Sequence, residues 1–310
     1  MRLEGIHHVT AITGDAPGNV DFYARVLGLR LVKKTVNQDD PTVYHLFYAD
    51  EVGSPGSDLT FFEYPGAQQG RPGAGMVHRV VWRVGSREAL DFWRERLARE
   101  GVESERASAS LRFADPEGLG HELVAESPDE PLVAEHPEIP AELALQGFHG
   151  VSACSADPER SRAFLEQTLG FEPHAGEWEA RGERRGSLYA YDPPPAERGI
   201  SGAGTVHHVA WASTMEEHDG WRERIARAGA RPTPVIDRFY FRSIYFREPS
   251  GVLFEIATLG PGFTADEPLE SLGESLSLPP LFEPLRSRLE QVLTPLPNPR
   301  AAPARTAKGG

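Results

Sequence analysis

Apolar and polar positions along the chain fall into one order that recurs four times. A strand-like apolar run comes first, a stretch with apolar residues at helical spacing follows, and about three further short strands close the unit. The first unit opens with "GIHHVTAIT" and continues through "APGNVDFYARVLG", where Val20, Tyr23 and Leu27 share a helical face and Gly28 supplies a stop. It ends in "RLVKKTV", "VYHLFYAD" and "DLTFFEYP". The second runs from "MVHRVVWRV" through "SREALDFWRERLAREG" to "LRFADPEGLGHELVA". The third opens "GFHGVSACSA", has the helical stretch "DPERSRAFLEQTLGF" and a late strand "SLYAYDPP". The fourth opens "TVHHVAWAS", passes through "MEEHDGWRERIARAG" and closes with "FYFRSIYFREPSGVLFEIAT". One such unit has too little core to stand alone, so the repeat predicts an α+β fold of cooperating modules.

Two turns sharpen this picture. In units two and four, "DPEG" and "EPSG" join the last two strands, and the Pro and Gly suit a tight hairpin with the glycine at positive φ. If Glu248 pairs with Val252 across the last hairpin, Tyr245 falls opposite Glu255 and the two side chains share a face. Units one and four also open with the same doublet, His7-His8 and His207-His208. Side chains alternate along a regular strand, so only one histidine of each doublet is expected to face a site directly. One imidazole from each doublet together with Glu255 would form the facial triad of two histidines and one carboxylate that binds non-haem Fe(II) and leaves positions open.

Composition bounds the setting. With 310 residues, 39% hydrophobic and 25% charged, the chain is long enough for two domains of ordinary size. No apolar run reaches the roughly 20 residues of a membrane span, and the start of the chain has no signal-peptide pattern. A net charge of −14 argues against nucleic acid or an anionic membrane as partner. The single cysteine, Cys154, excludes an internal disulfide, fits a reducing cytoplasm and reads as a small buried hydrophobe. The Pro- and Glu-rich segment "VAESPDEPLVAEHPEIPAE" is expected to link two halves, 1–140 and 141–265, with 266–310 as an extension. Within that extension Leu285, Leu289 and Val292 have helical spacing, and the final "PNPRAAPARTAKGG" has almost nothing to bury and is expected to be disordered.

The repeat, the turns and the His/Glu placement together resemble the vicinal oxygen chelate superfamily, and within it the ring-cleaving dioxygenases that act on para-hydroquinones. The resemblance covers roughly residues 5 to 285 and includes "VYHLFYADEVGSPGSDLTFF", "GFHG" and "GFTADEPLESLGESL". It implies four βαβββ modules paired into two curved, barrel-like sheets with helices outside. It also implies Fe(II), or Mn(II), held by His8, His208 and Glu255, with the first and last modules meeting in space to share the site. The family's surrounding residues match His7, Thr10, His207, Arg238 and Tyr245. On this reading the partners are a small aromatic substrate and O2, and self-association into a homo-oligomer is compatible with the sequence.

Residue chemistry suggests what each group would do. His207 or His7 is the natural base for a phenol proton, because imidazole titrates near neutrality. Arg238 would stabilise developing negative charge, Tyr245 would donate a hydrogen bond or a proton, and His7 and Thr10 would contact substrate. By pattern alone, "DRFYFRSIYFRE" is an ordinary strand with a solvated face in which Arg242 or Tyr240 could take those roles, and His7 and His207 could simply pack. A second reading recruits Glu63 as a fourth ligand with His8, His208 and Glu255 for Ni²⁺ or Zn²⁺, giving a glyoxalase-I-like isomerase. A third is a metal-free small-molecule-binding protein. His78 and Glu122 would be a structural vestige in the second module, because the third module lacks a matching carboxylate.

Overall fold

The computed structural model describes residues 1–126 and 128–300. The part of the tail expected to be disordered that begins at 301 lies outside the described residues; before it, Arg300 reaches back to Glu51 at 2.6 Å.

Each unit folds as strand, helix and three strands. Module one comprises β1 (Ile6–Thr13), α1 (Ala16–Val20), β2 (Arg30–Asn37), β3 (Asp40–Ala49) and β4 (Asp58–Glu63). Module two comprises β5 (Val77–Arg83), α2 (Arg87–Arg99), β6 (Ser104–Arg106), β7 (Ser110–Ala114) and β8 (Gly120–Val124). Module three has β9 (Phe148–Cys154), α3 (Glu159–Ala163), β10 (Glu172–His174), β11 (Glu177–Arg181) and β12 (Gly186–Asp192). Module four has β13 (Val206–Ser213), α4 (His218–Arg227), β14 (Ile236–Asp237), β15 (Arg242–Arg247) and β16 (Leu253–Thr258). A last helix, α5 (Arg286–Val292), belongs to the extension.

Local chemistry sets several of these bounds. The Ser86 hydroxyl caps α2 by accepting from the Ala89 N–H, and Leu90, Trp93 and Leu97 bury one face of that helix completely. In modules one and three the helix widens into π turns, Asp21–Val26 and Phe164–Leu169, where the predicted segments read as plain α-helix. The Leu27 N–H donates to the Phe22 carbonyl at 2.9 Å, and the wider turn keeps Phe22, Tyr23, Val26 and Leu27 all in the core. In the extension Leu289 is buried but Leu285 and Val292 are exposed, so α5 does not turn the predicted apolar row inward.

The modules pair one with four and two with three. The first eight-stranded sheet has the order β14-β15-β16-β13-β1-β4-β3-β2, and the second has β10-β11-β12-β9-β5-β8-β7-β6. Each sheet is joined at its centre by the two opening strands, β1 with β13 and β5 with β9, running antiparallel. First and last modules thus share one curved surface although nearly 200 residues separate their opening strands.

The joints are not regular. Along β1 and β13, Ile6 pairs with Trp211 and His8 with Ala210, which leaves His7 as an inserted residue. Further along, Thr10 pairs with His208 and Ala11 with Val206, which leaves His207 inserted on the other strand. These are β-bulges, so the strict alternation on which the doublets are read does not hold through them. His7 and His8 are both buried in the same joint.

The extension is fastened to the first sheet by Lys33. Its ammonium is fully buried, donates to Asp266 at 2.7 Å and to the Phe263 carbonyl at 3.1 Å, and pairs with Glu267. A buried ammonium needs such complete pairing to offset its desolvation.

Candidate metal centre

Three strands deliver the proposed ligands. His8 comes from β1, His208 from β13 and Glu255 from β16, and they are the one group of metal-binding type among the described residues whose ligand atoms converge. The Glu255 Oε2 lies 2.9 Å from His208 Nε2 and 3.2 Å from His8 Nε2, and the two Nε2 atoms are 3.2 Å apart. All three side chains are essentially inaccessible to solvent.

Charge tests whether a cation fits. Among the described residues, no backbone or hydroxyl donor bonds either Glu255 oxygen, and only the two imidazole edges face it. Burial alone would raise the Glu255 carboxyl, yet the facing His8 and His208 rings hold it well below the usual carboxylate range. Burial pushes the His208 imidazole down, so it favours the neutral form that offers a lone pair. An ionised carboxylate and two imidazoles at such spacing would leave a buried charge uncompensated without a cation, and N₂O donors suit a divalent transition metal.

The doubled histidines have a common explanation. His7 Nε2 lies 3.1 Å from the Thr258 carbonyl, an acceptor only, so that nitrogen carries hydrogen. His7 Nδ1 therefore accepts, and its partner at 2.9 Å, His8 Nδ1, carries hydrogen and donates. The His8 Nε2 lone pair is thereby left for the site. His207 Nδ1 stands in the same relation to His208 Nδ1 at 2.8 Å. The bulge puts each inserted ring beside its neighbour, and His7, anchored on Thr258, fixes the orientation and tautomer of His8.

A cavity of about 420 Å³ opens onto this cluster. Of the residues singled out from sequence, His8, His207, His208, Arg238 and Tyr245 line it. The Tyr245 ring stands edge-on to His208 with centroids 5.5 Å apart, and Tyr245 pairs with Glu255 across β15 and β16 in the expected register. Burial, and next the Glu255 charge, push the Tyr245 phenol up, so it keeps its proton at neutral pH. Arg238 is held by Asp39 of the β2–β3 turn at 2.8 and 3.1 Å, and its guanidinium lies 5.6 Å from the centre of the Tyr245 ring. Tyr240 also reaches the wall, with its hydroxyl donating to Asp266 at 2.8 Å, whereas Arg242 is exposed away from the cavity.

His7 and Thr10 are not on the wall. His7 uses both ring nitrogens as described, and Thr10 directs its hydroxyl to Thr60 at 2.8 Å. Glu63 is turned elsewhere, accepting from the Thr294 hydroxyl at 2.8 Å and the Ala16 N–H at 3.4 Å. The place in module one that corresponds to Glu255, two residues on in register from the histidine, belongs to Thr60. His78 bonds Asp192 at 2.9 Å and Glu122 pairs with Arg79 at 3.1 Å, both in the second sheet.

One wall residue went unread in the sequence. His45, from β3, is sandwiched by Phe47 and Phe62 with ring centroids at 3.9 and 4.4 Å, and its Nε2 lies 2.8 Å from the Thr60 hydroxyl. Burial pushes its imidazole well below the ordinary range. The one signal for it was a histidine at an inward position of an otherwise apolar strand, "VYHLFYA", and such a signal is also met by packed structural histidines.

Known proteins share these features. The glyoxalase/bleomycin resistance protein/dioxygenase superfamily model matches residues 5–123 and 147–256. A Bacillus subtilis (strain 168) protein named "Putative ring-cleaving dioxygenase MhqO" is 43% identical over 95% of this chain and 97% of its own length. The chlorohydroquinone/hydroquinone 1,2-dioxygenase of Sphingobium indicum is 33% identical over 93% of this chain and 95% of its own. The crystal structure of a "putative dioxygenase from Bacillus subtilis subsp. subtilis str. 168" superposes with a TM-score of 0.88 at 42% identity, covering 95% of this chain and 98% of that one. With ring-cleaving dioxygenases related to it along nearly its whole length, and with the four-module architecture in place, the chain belongs to the glyoxalase/bleomycin resistance protein/dioxygenase superfamily.

Proposed function

We propose that this protein is an Fe(II)-dependent, extradiol-type dioxygenase that opens the ring of a para-hydroquinone or related substituted phenol. The observation that carries the reading is the buried cluster of His8, His208 and Glu255 at the base of a cavity walled by aromatic and polar side chains. A ferrous ion, when bound, supplies neighbouring coordination positions through which a phenol oxygen and dioxygen are brought together and exchange electrons. Mn(II) accepts the same donor set.

The chain's own groups do the rest. His8, His208 and Glu255 hold the cation and offset part of its charge. His207 stands beside the cavity with its Nδ1 against His208, and burial pushes its imidazole down to about 4, so it holds the His208 ring rather than taking the proton of the entering phenol. Tyr245 remains a hydrogen-bond donor, and Arg238, fixed by Asp39, keeps a positive charge over the region where oxygen-borne negative charge develops. Phe62, Phe47 and Phe241 supply flat apolar surface for a ring. The lone, buried Cys154 suits the reducing cytoplasm in which we place the enzyme.

The isomerase alternative requires Glu63 as a ligand, and Glu63 bonds Thr294 and Ala16 instead. The deciding experiment is oxygen uptake by anaerobically Fe(II)-loaded protein given hydroquinone and its methylated or chlorinated relatives, with iron measured on the same sample. Stoichiometric uptake with loss of aromatic absorbance is expected. Iron bound at one per chain with no uptake for any of these substrates overturns the proposal.

A further inference from the structure

His45 stands on the opposite arm of the sheet from Tyr245. In strand order, β15 lies on one side of the ligand-bearing strands β16, β13 and β1, and β3 lies on the other, beyond β4. The cavity between carries Tyr245 on one arm and His45 on the other, with Arg238 bridging toward the β2–β3 turn through Asp39.

The hydrogens on this imidazole can be assigned. Thr10 is fully buried, and among the described residues its hydroxyl has a single partner, the Thr60 hydroxyl at 2.8 Å. Thr60 in turn lies 2.8 Å from His45 Nε2. If His45 Nε2 donated to Thr60, and Thr60 to Thr10, the Thr10 hydrogen would be buried with no acceptor, which is costly. In the opposite sense Thr10 donates to Thr60, Thr60 donates to Nε2, and every hydrogen is accepted. The tautomer that remains carries its hydrogen on Nδ1. Phe47 and Phe62 clamp the ring faces, so the ring is held in one plane with this donor free for a group in the cavity.

We propose that His45 is a specificity-determining residue, donating its Nδ1–H to a ring oxygen remote from the oxygen held at the His8–His208–Glu255 cluster. This rests on the ring-cleavage reading and narrows its substrate class. A para-hydroquinone has a second oxygen across the ring to accept this bond. A catechol, with both oxygens adjacent at the cluster, has none at the far end and leaves the donor unmatched. A donor built for an oxygen rejects an analogue without it more strongly than an apolar pocket rejects an extra group. Thr60, and behind it Thr10, act on the substrate through His45 as positioning residues.

The test uses the full chain loaded anaerobically with Fe(II), titrated with hydroquinone and with 4-methylphenol, which has a methyl group in place of the second oxygen. Wild type is expected to bind hydroquinone roughly tenfold more tightly than 4-methylphenol, as one neutral hydrogen bond allows. His45→Phe keeps the stacked ring and should lose that preference by weakening hydroquinone alone, with iron content unchanged. In air its KM for hydroquinone should rise while kcat changes less. Thr60→Val, which frees the tautomer, should lose part of the preference. Equal binding of the two phenols by wild type, or an undiminished preference in His45→Phe, overturns the assignment. Preferential, His45-dependent binding without oxygen uptake would instead sustain this assignment and overturn the ring-cleavage reading.

Discussion

The two sheets are built alike, and only one gathers two imidazoles around a carboxylate. Both are joined through bulged histidines: His7 and His207 in the first sheet, His78 and His149 in the second. Trp211 and Trp82 occupy matching, fully buried places opposite Ile6 and Phe148. Matching registers also align Glu255 with Glu122, His208 with Arg79, and His8 with Gly150. The second sheet has kept the carboxylate and lost both imidazoles. Glu122 is met there by the guanidinium groups of Arg79 at 3.1 Å and Arg112 at 3.0 Å. The fold thus brings a carboxylate to the concave face in both sheets, and the side chains opposite it decide whether its counter-charge is an arginine or an imported cation. Reversal is blocked by packing as well, since a Cβ at Gly150 would come 2.3 Å from the Leu188 carbonyl oxygen.

The comparison breaks most sharply at His208. His208→Ala removes one of three proposed ligands and should lower metal affinity by more than about 100-fold, beyond the usual cost of losing an outer partner. Metal content after dialysis and oxygen uptake measure it, and a variant that kept both would sink the ligand assignment. The inserted histidines give a paired test of the next size. His7→Phe fills the same space but lets the His8 tautomer go, so metal affinity should fall by about 10- to 100-fold. His149→Phe, at the matching place in the second sheet, should leave metal affinity unchanged. Equal effects of the two would show that the bulges matter only for packing.

In the second sheet the expected loss is stability. Arg79→Met leaves Glu122 with Arg112 alone, and Arg112 is half-exposed. Breaking a buried pair outright costs 3–5 kcal/mol, and the surviving partner should reduce this to roughly 2 kcal/mol. Chemical denaturation of the metal-loaded protein would measure it, with metal content unaltered. Adding Glu122→Leu should recover much of the loss, because the unmatched charge goes with it. A double variant no more stable than Arg79→Met would remove the charge-replacement account.

Much of this contrast was legible in sequence because its signals are local. Module order follows from hydrophobic period, and the Tyr245–Glu255 register follows from the turn residues, where Gly251 has φ +102°. His8, His208 and Glu255 were named from the repeated doublet and a family resemblance. The bulges were not legible, since an inserted residue is defined only against its partner strand, and β13 is far from β1 in sequence. Thr10 misled for a different reason: sharing parity with His8 did not bring it to the wall, because Thr60 on the neighbouring strand takes its hydroxyl. His45 was missed because its exposure to the cavity depends on β3 lying beyond β4 in the first sheet.

The most gradual effect concerns a buried histidine with no part in metal binding. His121 of β8 accepts from the Trp82 indole N–H at 3.1 Å and lies 3.0 Å from the Tyr23 hydroxyl, which also donates to Asp115 at 2.9 Å. Burial holds its imidazole down to about 3, far below the 6.5 of a free histidine. A depressed histidine stays neutral in the folded chain while its unfolded counterpart takes up a proton below pH 6.5. Wild type should therefore lose stability through this group as pH falls from 6.5 toward 3, by at most about 1.4 kcal/mol per pH unit. Burial raises the neighbouring Asp115 to about 6, and its effect has the opposite sign, since its protonation as pH falls favours the folded state. The two must be separated by difference. His121→Gln can preserve the contacts to Trp82 and Tyr23 but cannot titrate, so the stability gap between wild type and variant should shrink steadily between pH 6.5 and 4. A gap independent of pH would mean that His121 is protonated in the folded chain, and that the core of the second sheet tolerates a charge even without a metal beside it.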